Sequence, residues 1–444
     1  VQEPITGPED LSLLHELDPA FYPGLLESAA SHPTTGRFDL LFAAPGERLE
    51  WRGNARIGEG GPPPEPGEDF FSVLRRWAEM ESVPSSGDLP FAGGWLLYLG
   101  YEVAGTAEPR LRLPDSPLAP PDALALRCRG AIVRDRIAGR DWLVAENREI
   151  AARLRADCAR LKGCRSTVTA APVARIQEAD PQRFVDGVET ILDYLRAGDC
   201  YQANLSRRWD ATLHEPPLAL YRRLREQNPA PFAGFFHDRG WSLLSSSPER
   251  LLGVSGDRAD TRPIAGTRRR AADADDDARL RRELVGDLKE RAEHLMLLDL
   301  ERNDLGRVCR PGSIRVDECM TLETYAHLHH IVSSVRGVLL PGTGAVDALR
   351  AVFPGGTITG CPKLRSMQII AELEGEGRGP YTGALGYLSR CGHMDSNILI
   401  RTIVCDENGV SFRTGAGIVA DSQPRRELDE TRIKARGLLR ALGQ

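Results

Sequence analysis

Glu290 and Glu293 lie three residues apart, and Glu427, Glu430 and Lys434 fall at i, i+3 and i+7 near the other end of the chain. On helices, each set would share one face. Such spacing is common on solvated helix faces and by itself requires nothing more. If the two helices converge, the carboxylates offer an oxygen-only ligand set to a hard divalent cation. Magnesium suits that set, because it keeps waters and takes one or two protein carboxylates beside substrate oxygens. A second constellation is the run from Phe353 to Lys363, FPGGTITGCPK, with Gly415-Ala416-Gly417 after a strand-like segment. Turns of this kind expose successive backbone N–H groups that can hold a carboxylate or phosphate. Neither matches a Walker A loop or a dinucleotide fingerprint. Arg401 falls inside a strand-like run of apolar and Thr residues. An Arg there needs a carboxylate partner, and a bidentate substrate clamp is one way to supply it. Arg268, Arg269 and Arg270 fit a solvated loop. His329 and His330 would point to opposite faces of a strand, which disfavours a shared metal.

Composition narrows the classes. The chain has 444 residues, 57 Lys plus Arg and 63 Asp plus Glu, a net charge of −6. A generic nucleic-acid binder needs a basic excess, so that class is excluded. The 41% hydrophobic and 27% charged fractions are ordinary for a globular protein. Length suggests two or three domains. The longest apolar runs fall far below the ~20 residues of a spanning helix, and the acidic N-terminus lacks a secretory signal. The nine cysteines are scattered, with no Cys-x-x-Cys. A cytoplasmic enzyme or binding protein is expected. No Gly-x-Ser-x-Gly elbow occurs.

The elements that position these residues are partly readable. Phe38 to Phe42 and Gly94 to Tyr98 look like strands, and Pro-rich breaks at 61–67 and 113–121 look like loops. Residues 148–162 read as a helix, and 166–174 as a linker. Phe184, Val188, Ile191, Leu192 and Leu195 follow a helical period that Gly198 ends. Strands are expected at 201–209 and 397–404, with a hairpin turn at 406–409. Residues 277–301 read as one long helix, and Pro424 opens a final helix with its apolar stripe on Leu428, Ala435, Leu438, Leu439 and Leu442. Strands and helices without regular βαβ alternation favour an α+β fold.

Taken together, the segments resemble the chorismate-binding enzyme family. The motifs run in order over residues 178 to 440: YQANLS (201–206), SSSPERL (245–251), TRPIAGTRRR (261–270), KERAEHLMLLDLERNDLGRV (289–308), HHIVSSVRG (329–337), FPGGTITGCPKLRSM (353–367), PYTGALGYL (380–388), NILIRT (397–402), GAGIVADS (415–422) and ELDETRIKA (427–435). LLES (25–28), RFDLLFA (37–43) and GGWLLYLGYE (93–102) resemble the family's N-terminal part. The resemblance implies an anthranilate synthase component I-like fold, with two large antiparallel β-sheets in a sandwich and helices packed outside. It implies an N-terminal domain over residues 1–175 and a chorismate-binding catalytic domain over 176–444. Ser28 resembles part of a tryptophan pocket, but the companion stretch 228–233 departs from the Pro-Tyr-Met of inhibited relatives.

Roles carry over by position. Glu249 matches the general acid that protonates the leaving ring hydroxyl, with His330 and Thr357 as further catalytic positions. Gly266, Thr267, Tyr381, Arg401, the Gly415-Ala416-Gly417 backbone and Lys434 match substrate contacts. Glu293 and Glu430 match the Mg2+ ligands, and Glu290 and Glu427 stand behind them or act through water. Water-adding relatives carry a Lys base where this chain has Gln202, so ammonia is the expected nucleophile. The resemblance implies ammonia from a separate glutamine amidotransferase subunit, and the lack of a recognisable glutaminase segment agrees with it. Two branches compete. The phrasing at 201–206 and 355–360 resembles the branch that makes 4-amino-4-deoxychorismate, for p-aminobenzoate and folate. Ala265 stands where some members of that branch carry a nucleophilic Lys. Ala there is shared with the branch that makes anthranilate plus pyruvate for tryptophan, which remains the alternative.

Overall fold

The computed structural model describes the chain except residues 30–35, 54, 57–59, 86, 109, 169–174, 213–214, 272 and 325–327. Most of the linker expected at 166–174 lies outside the described residues. Two long strands, Phe38–Arg52 and Ala123–Asp135, pair antiparallel along their length, with a register shift between Pro45 and Arg48. The extra residues bend the ribbon, so its two halves enter different sheets. One half continues antiparallel through Gly24–Glu27, Phe232–Asp238, Trp241–Ser247, Thr402–Asp406, Gly409–Ile418 and Gln202–Ala211. The other continues through Gly94–Leu99, Ala384–Ser389, Met394–Ile398, Arg250–Ser255, Arg258–Arg262 and Leu328–Val338. Arg315–Thr324 and Ile264–Arg269 complete that second sheet against Leu328–Val338. Each sheet therefore mixes strands from both sides of residue 175.

The sheets face each other across Phe42, Phe236, Leu243 and Val404 on one side and Leu96, Tyr98, Leu385 and Tyr387 on the other. Alternation along each strand sends the neighbouring residues outward. Phe235, Leu244 and Ile403 are covered by the helices Pro217–Gln227 and Pro424–Ala441. Trp95, Leu97 and Leu251 are covered by Phe70–Met80 and Ala345–Val352. The architecture is the α+β sandwich expected from the motifs. Helix Pro181–Ala197 ends at Gly198 with φ 81, the left-handed stop read from its sequence.

Three expectations need correction. Arg268 and Arg269 are not in a solvated loop; they end strand Ile264–Arg269, and Arg268 pairs with Asp287 and Glu290. Residues 277–301 are not one helix; they belong to Ala274–Gly286 and Leu288–Gly306. Asp287 between them is extended, and its carboxylate accepts the Glu290 N–H at 3.2 Å and Arg268 at 2.9 Å. Residues 397–404 are not one strand either. The chain leaves one sheet after Ile398 and joins the other at Thr402, and Arg401 sits between them at φ 51. The hairpin turn at 406–409 is present, and the cysteines are free thiols. Among the described residues no helix is long and apolar enough to cross a membrane.

Candidate active site

Two segments change sheets side by side. Residues 248–249 link Trp241–Ser247 to Arg250–Ser255, and residues 399–401 link Met394–Ile398 to Thr402–Asp406. The Ile398 N–H donates to the Glu249 carbonyl at 3.0 Å, and the Ser246 N–H to the Arg401 carbonyl at 3.2 Å. Such corners free side chains from the regular alternation of a strand. They set Glu249 and Arg401 together at the seam of the sandwich, near enough for the Arg401 charge to act on the Glu249 carboxyl. A left-handed backbone costs a non-glycine residue on the order of 1 kcal/mol, so Arg401 is held there by its surroundings.

Glu249 is 4% exposed, and burial pushes its carboxyl up to about 7. The Ile264 N–H, which donates to it at 3.2 Å, the Thr357 hydroxyl and Arg401 pull the other way, while Glu301 pushes it up further. A carboxyl that keeps its proton near neutrality can act as an acid. His330 is buried opposite Thr267 in the ladder. Burial drives it down to about 3, assisted by the charges of Arg401 and Lys434, so the imidazole is neutral. The side chain of Thr267 lies outside the described residues.

Strand Gly409–Ile418 supplies the floor. A Cβ at Gly415 would stand 2.7 Å from the Tyr381 hydroxyl and 2.9 Å from Asn204 Oδ1, and one at Gly417 would stand 2.5 Å from Gln202 Nε2. Only glycines leave this cradle open. Residues 415 and 417 share a face of the strand. Lys434, from the last helix, donates to the Gly415 carbonyl at 3.0 Å and pairs with Glu430 at 2.7 Å. Burial opposes its charge, but Glu430 and the Tyr381 hydroxyl together raise its proton affinity. Glu293, from helix Leu288–Gly306, accepts Gln202 Nε2 at 2.9 Å beside Gly417. Glu290 accepts Arg268 at 2.9 Å next to Gly266, whose φ is 74, and Glu427 is buried on the inner face of the last helix.

The two helices thus grip one strand two residues apart, each bringing a carboxylate. Among the described residues no three His, Cys, Asp or Glu side chains gather tightly enough to hold a metal. The donors fit a hard dication that takes one or two carboxylates and fills its shell with water and substrate oxygens. They do not fit a closed protein cage.

Several buried groups around this site were not singled out from the sequence. Glu301 accepts the Gly356 N–H at 3.3 Å. Lys363 pairs with Asp304 and donates to the carbonyls of Val352 and Pro354 at 3.0 and 2.8 Å, tying the glycine-rich run to helix Leu288–Gly306. Glu102 accepts the N–H groups of Arg378 and Gly379 at 2.6 and 3.0 Å, and so holds the turn that carries Tyr381. Glu374 binds Arg378 and Arg413 behind that turn. Glu301 had a readable signal, because it continues the helical stripe of His294, Leu297 and Leu298 to Leu305, all buried. Ser28 is buried, and its N–H bonds Asp39 at 3.0 Å. A cavity of about 150 Å³ next to it is lined by Leu26, Leu40, Phe232, Tyr387 and Asn397.

The family described as chorismate binding enzyme matches residues 28–440. The chain belongs to the chorismate-binding enzyme family. Anthranilate synthase component 1 of Thermus thermophilus is 42% identical over 412 residues, covering 91% of this chain and 86% of that protein. Aminodeoxychorismate synthase component 1 of Bacillus subtilis is 39% identical over 391 residues, covering 84% and 80%. The crystal structure of anthranilate synthase component I from Streptococcus pneumoniae matches with a TM-score of 0.81 at 31% identity, covering 91% of this chain and 92% of that one. This chorismate-binding enzyme therefore uses chorismate, and relatives of both branches lie at similar identity.

Proposed function

We propose that this chorismate-binding enzyme aminates chorismate to 4-amino-4-deoxychorismate, with ammonia supplied by a separate glutamine amidotransferase subunit, for p-aminobenzoate and folate synthesis in the cytoplasm. The amination reading is carried by Gln202. It lies beside Gly417, and its amide is bonded to Glu293. An amide cannot deprotonate water, whereas ammonia needs no base. Glu249 gives its proton to the C4 hydroxyl as the C–O bond breaks, and the hydroxyl leaves as water. The ammonia lone pair forms the C–N bond, so the product amine leaves as an ammonium and Glu249 is left as a carboxylate. Arg401, Lys434 and the 415–417 backbone take the two substrate carboxylates, and Tyr381 and Gly266 shape the cradle. Neutral His330 adds no further positive charge beside Arg401 and Lys434. A Mg2+ held by Glu293 and Glu430, with Glu290 and Glu427 behind them, would neutralise substrate carboxylate charge when bound.

Attack at C4 rather than C2 is supported by the phrasing of the glycine-rich run. Gly356 is packed so closely by Leu300 that a Cβ would meet its Cδ2 at 2.6 Å, and the buried Thr359 hydroxyl bonds the Gly355 carbonyl at 2.9 Å. Ala265 favours the second reading, the anthranilate branch, since no lysine stands in that strand to attack the ring. Incubation with chorismate, Mg2+ and ammonium, followed by an aminodeoxychorismate lyase, is expected to yield p-aminobenzoate. Anthranilate plus pyruvate as the only products would overturn the first reading.

A further inference from the structure

Glu301 is an acid on an otherwise largely apolar stripe, and it is 4% exposed, as Glu249 is. Its Oε1 accepts the Gly356 N–H at 3.3 Å, and the next residue, Thr357, carries a buried hydroxyl near enough to the Glu249 carboxyl to act on it, without a hydrogen bond of normal geometry. Two successive residues of one turn therefore face two buried carboxyls. The same pair is approached from the second sheet, where Thr261 lies against Glu301 and the Ile264 N–H donates to Glu249 at 3.2 Å. The charged groups facing Glu301 are Asp304 on its own helix, Lys363 on helix Lys363–Glu374, and Glu249 at the seam. Those facing Glu249 are Glu301 and Arg401. Lys363 is shared with Asp304 and two loop carbonyls.

Burial pushes both carboxyls up to about 7, and each stands in the field of another acid. Two such groups lose their protons as a pair, the first departure making the second harder. We propose that Glu301 is a positioning residue that works through Glu249, its charge across the Gly356–Thr357 turn keeping the acid proton on Glu249 until the substrate hydroxyl takes it. This rests on the acid role given to Glu249 above. No residue of the motif set assigned from the family supplies this function.

Glu301→Gln keeps an oxygen for the Gly356 N–H and removes the charge. The alkaline limb of kcat for chorismate consumption is then expected about one pH unit lower. That is roughly a tenfold loss at pH 8, about twofold at pH 6 and little change at pH 5. An unmoved limb, or an equal loss at every pH, would overturn the proposal, since a purely structural role predicts one or the other. Infrared titration of the substrate-free enzyme gives a second measurement. The protonated carboxyl band should be lost at lower pH in Glu301→Gln, and Glu249→Gln should lower the midpoint of Glu301 by a similar amount, because the coupling is reciprocal. Midpoints that do not move in either variant would refute it. Both readouts follow substrate loss or the carboxyls themselves, so an anthranilate product would sink the C4 reading and leave this one standing.

Discussion

Glu374 and Glu249 are both sealed from solvent, yet the Glu374 carboxyl is held below the usual carboxylate range while that of Glu249 is pushed up to about 7. Burial works against ionisation in both. At Glu374 it is overcome by Arg378 at 2.7 Å, Arg413 at 3.0 Å, and the Ser206 hydroxyl and N–H, each at 2.8 Å. At Glu249 it meets one N–H, one hydroxyl and an arginine whose charge it shares with the substrate pocket. Depth alone therefore does not distinguish a structural acid from a reactive one; the local supply of cations does. The Glu374 cluster supports the Tyr381 turn, with Arg378 lying over the Tyr101 and Tyr381 rings. The seam keeps a proton available.

The largest effect should come from the reactive side. Glu249→Gln is expected to lower kcat by about 10³-fold or more, with no fall in the thermal midpoint at neutral pH; chorismate consumption by a variant that keeps a tenth of its activity would place the acid elsewhere. On the structural side, Glu374→Gln takes the paired charge from buried Arg378 and leaves Arg413 with Glu376, at 2.8 Å, and urea denaturation should show a loss of about 3–5 kcal/mol. A loss below 1 kcal/mol would remove the contrast.

The third prediction uses pH. Glu102, Glu249 and Glu301 rise from 4.5 to about 7 on folding, in each case chiefly through burial. The native state binds these protons more tightly than the unfolded chain. Their contribution is complete below about pH 4.5 and is lost as pH rises through about 7. Glu102→Gln should flatten the fall in stability across that window by up to about 3 kcal/mol, measured as urea midpoints at pH 5 and 7.5. Glu374, held low, works in the opposite sense: its contribution is complete above the ordinary carboxylate range and is lost as pH falls below it. Least is expected at the exposed pair Arg196–Asp193, 2.6 Å apart. Asp193→Asn should leave the melting temperature unchanged, which would show that pairing matters at Glu374 because it is buried.

Much of the candidate site was legible because its residues sit in contiguous motifs. Glu249, His330, Tyr381, Arg401, Gly415 and Lys434 are read from short phrases, and the structure gathers them at one seam. The groups that support them were not legible, for physical reasons. Glu102 binds N–H groups of Arg378 and Gly379, and a backbone partner leaves no trace in the sequence. Glu374 and Arg378 look like an ordinary i, i+4 surface pair until strand Gly409–Ile418 brings Arg413 onto them. Arg401 reads as part of a strand because apolar residues flank it; only the exchange of sheets, a long-range event, shows why its backbone is left-handed. The break at Asp287 depended on Arg268, nineteen residues earlier in the chain.

The two crossings at 248–249 and 399–401 make turnover a gauge of the fold. Each places one of the residues proposed for the chemistry where one sheet hands the chain to the other, so the proposed acid Glu249 and the proposed anion clamp Arg401 are in register only while the sheets keep their mutual offset. A change in the shared core at Phe236 or Leu385 touches no substrate. It would nevertheless act as a sliding misalignment between two rulers, and the rate would record that slip before any spectroscopic sign of unfolding.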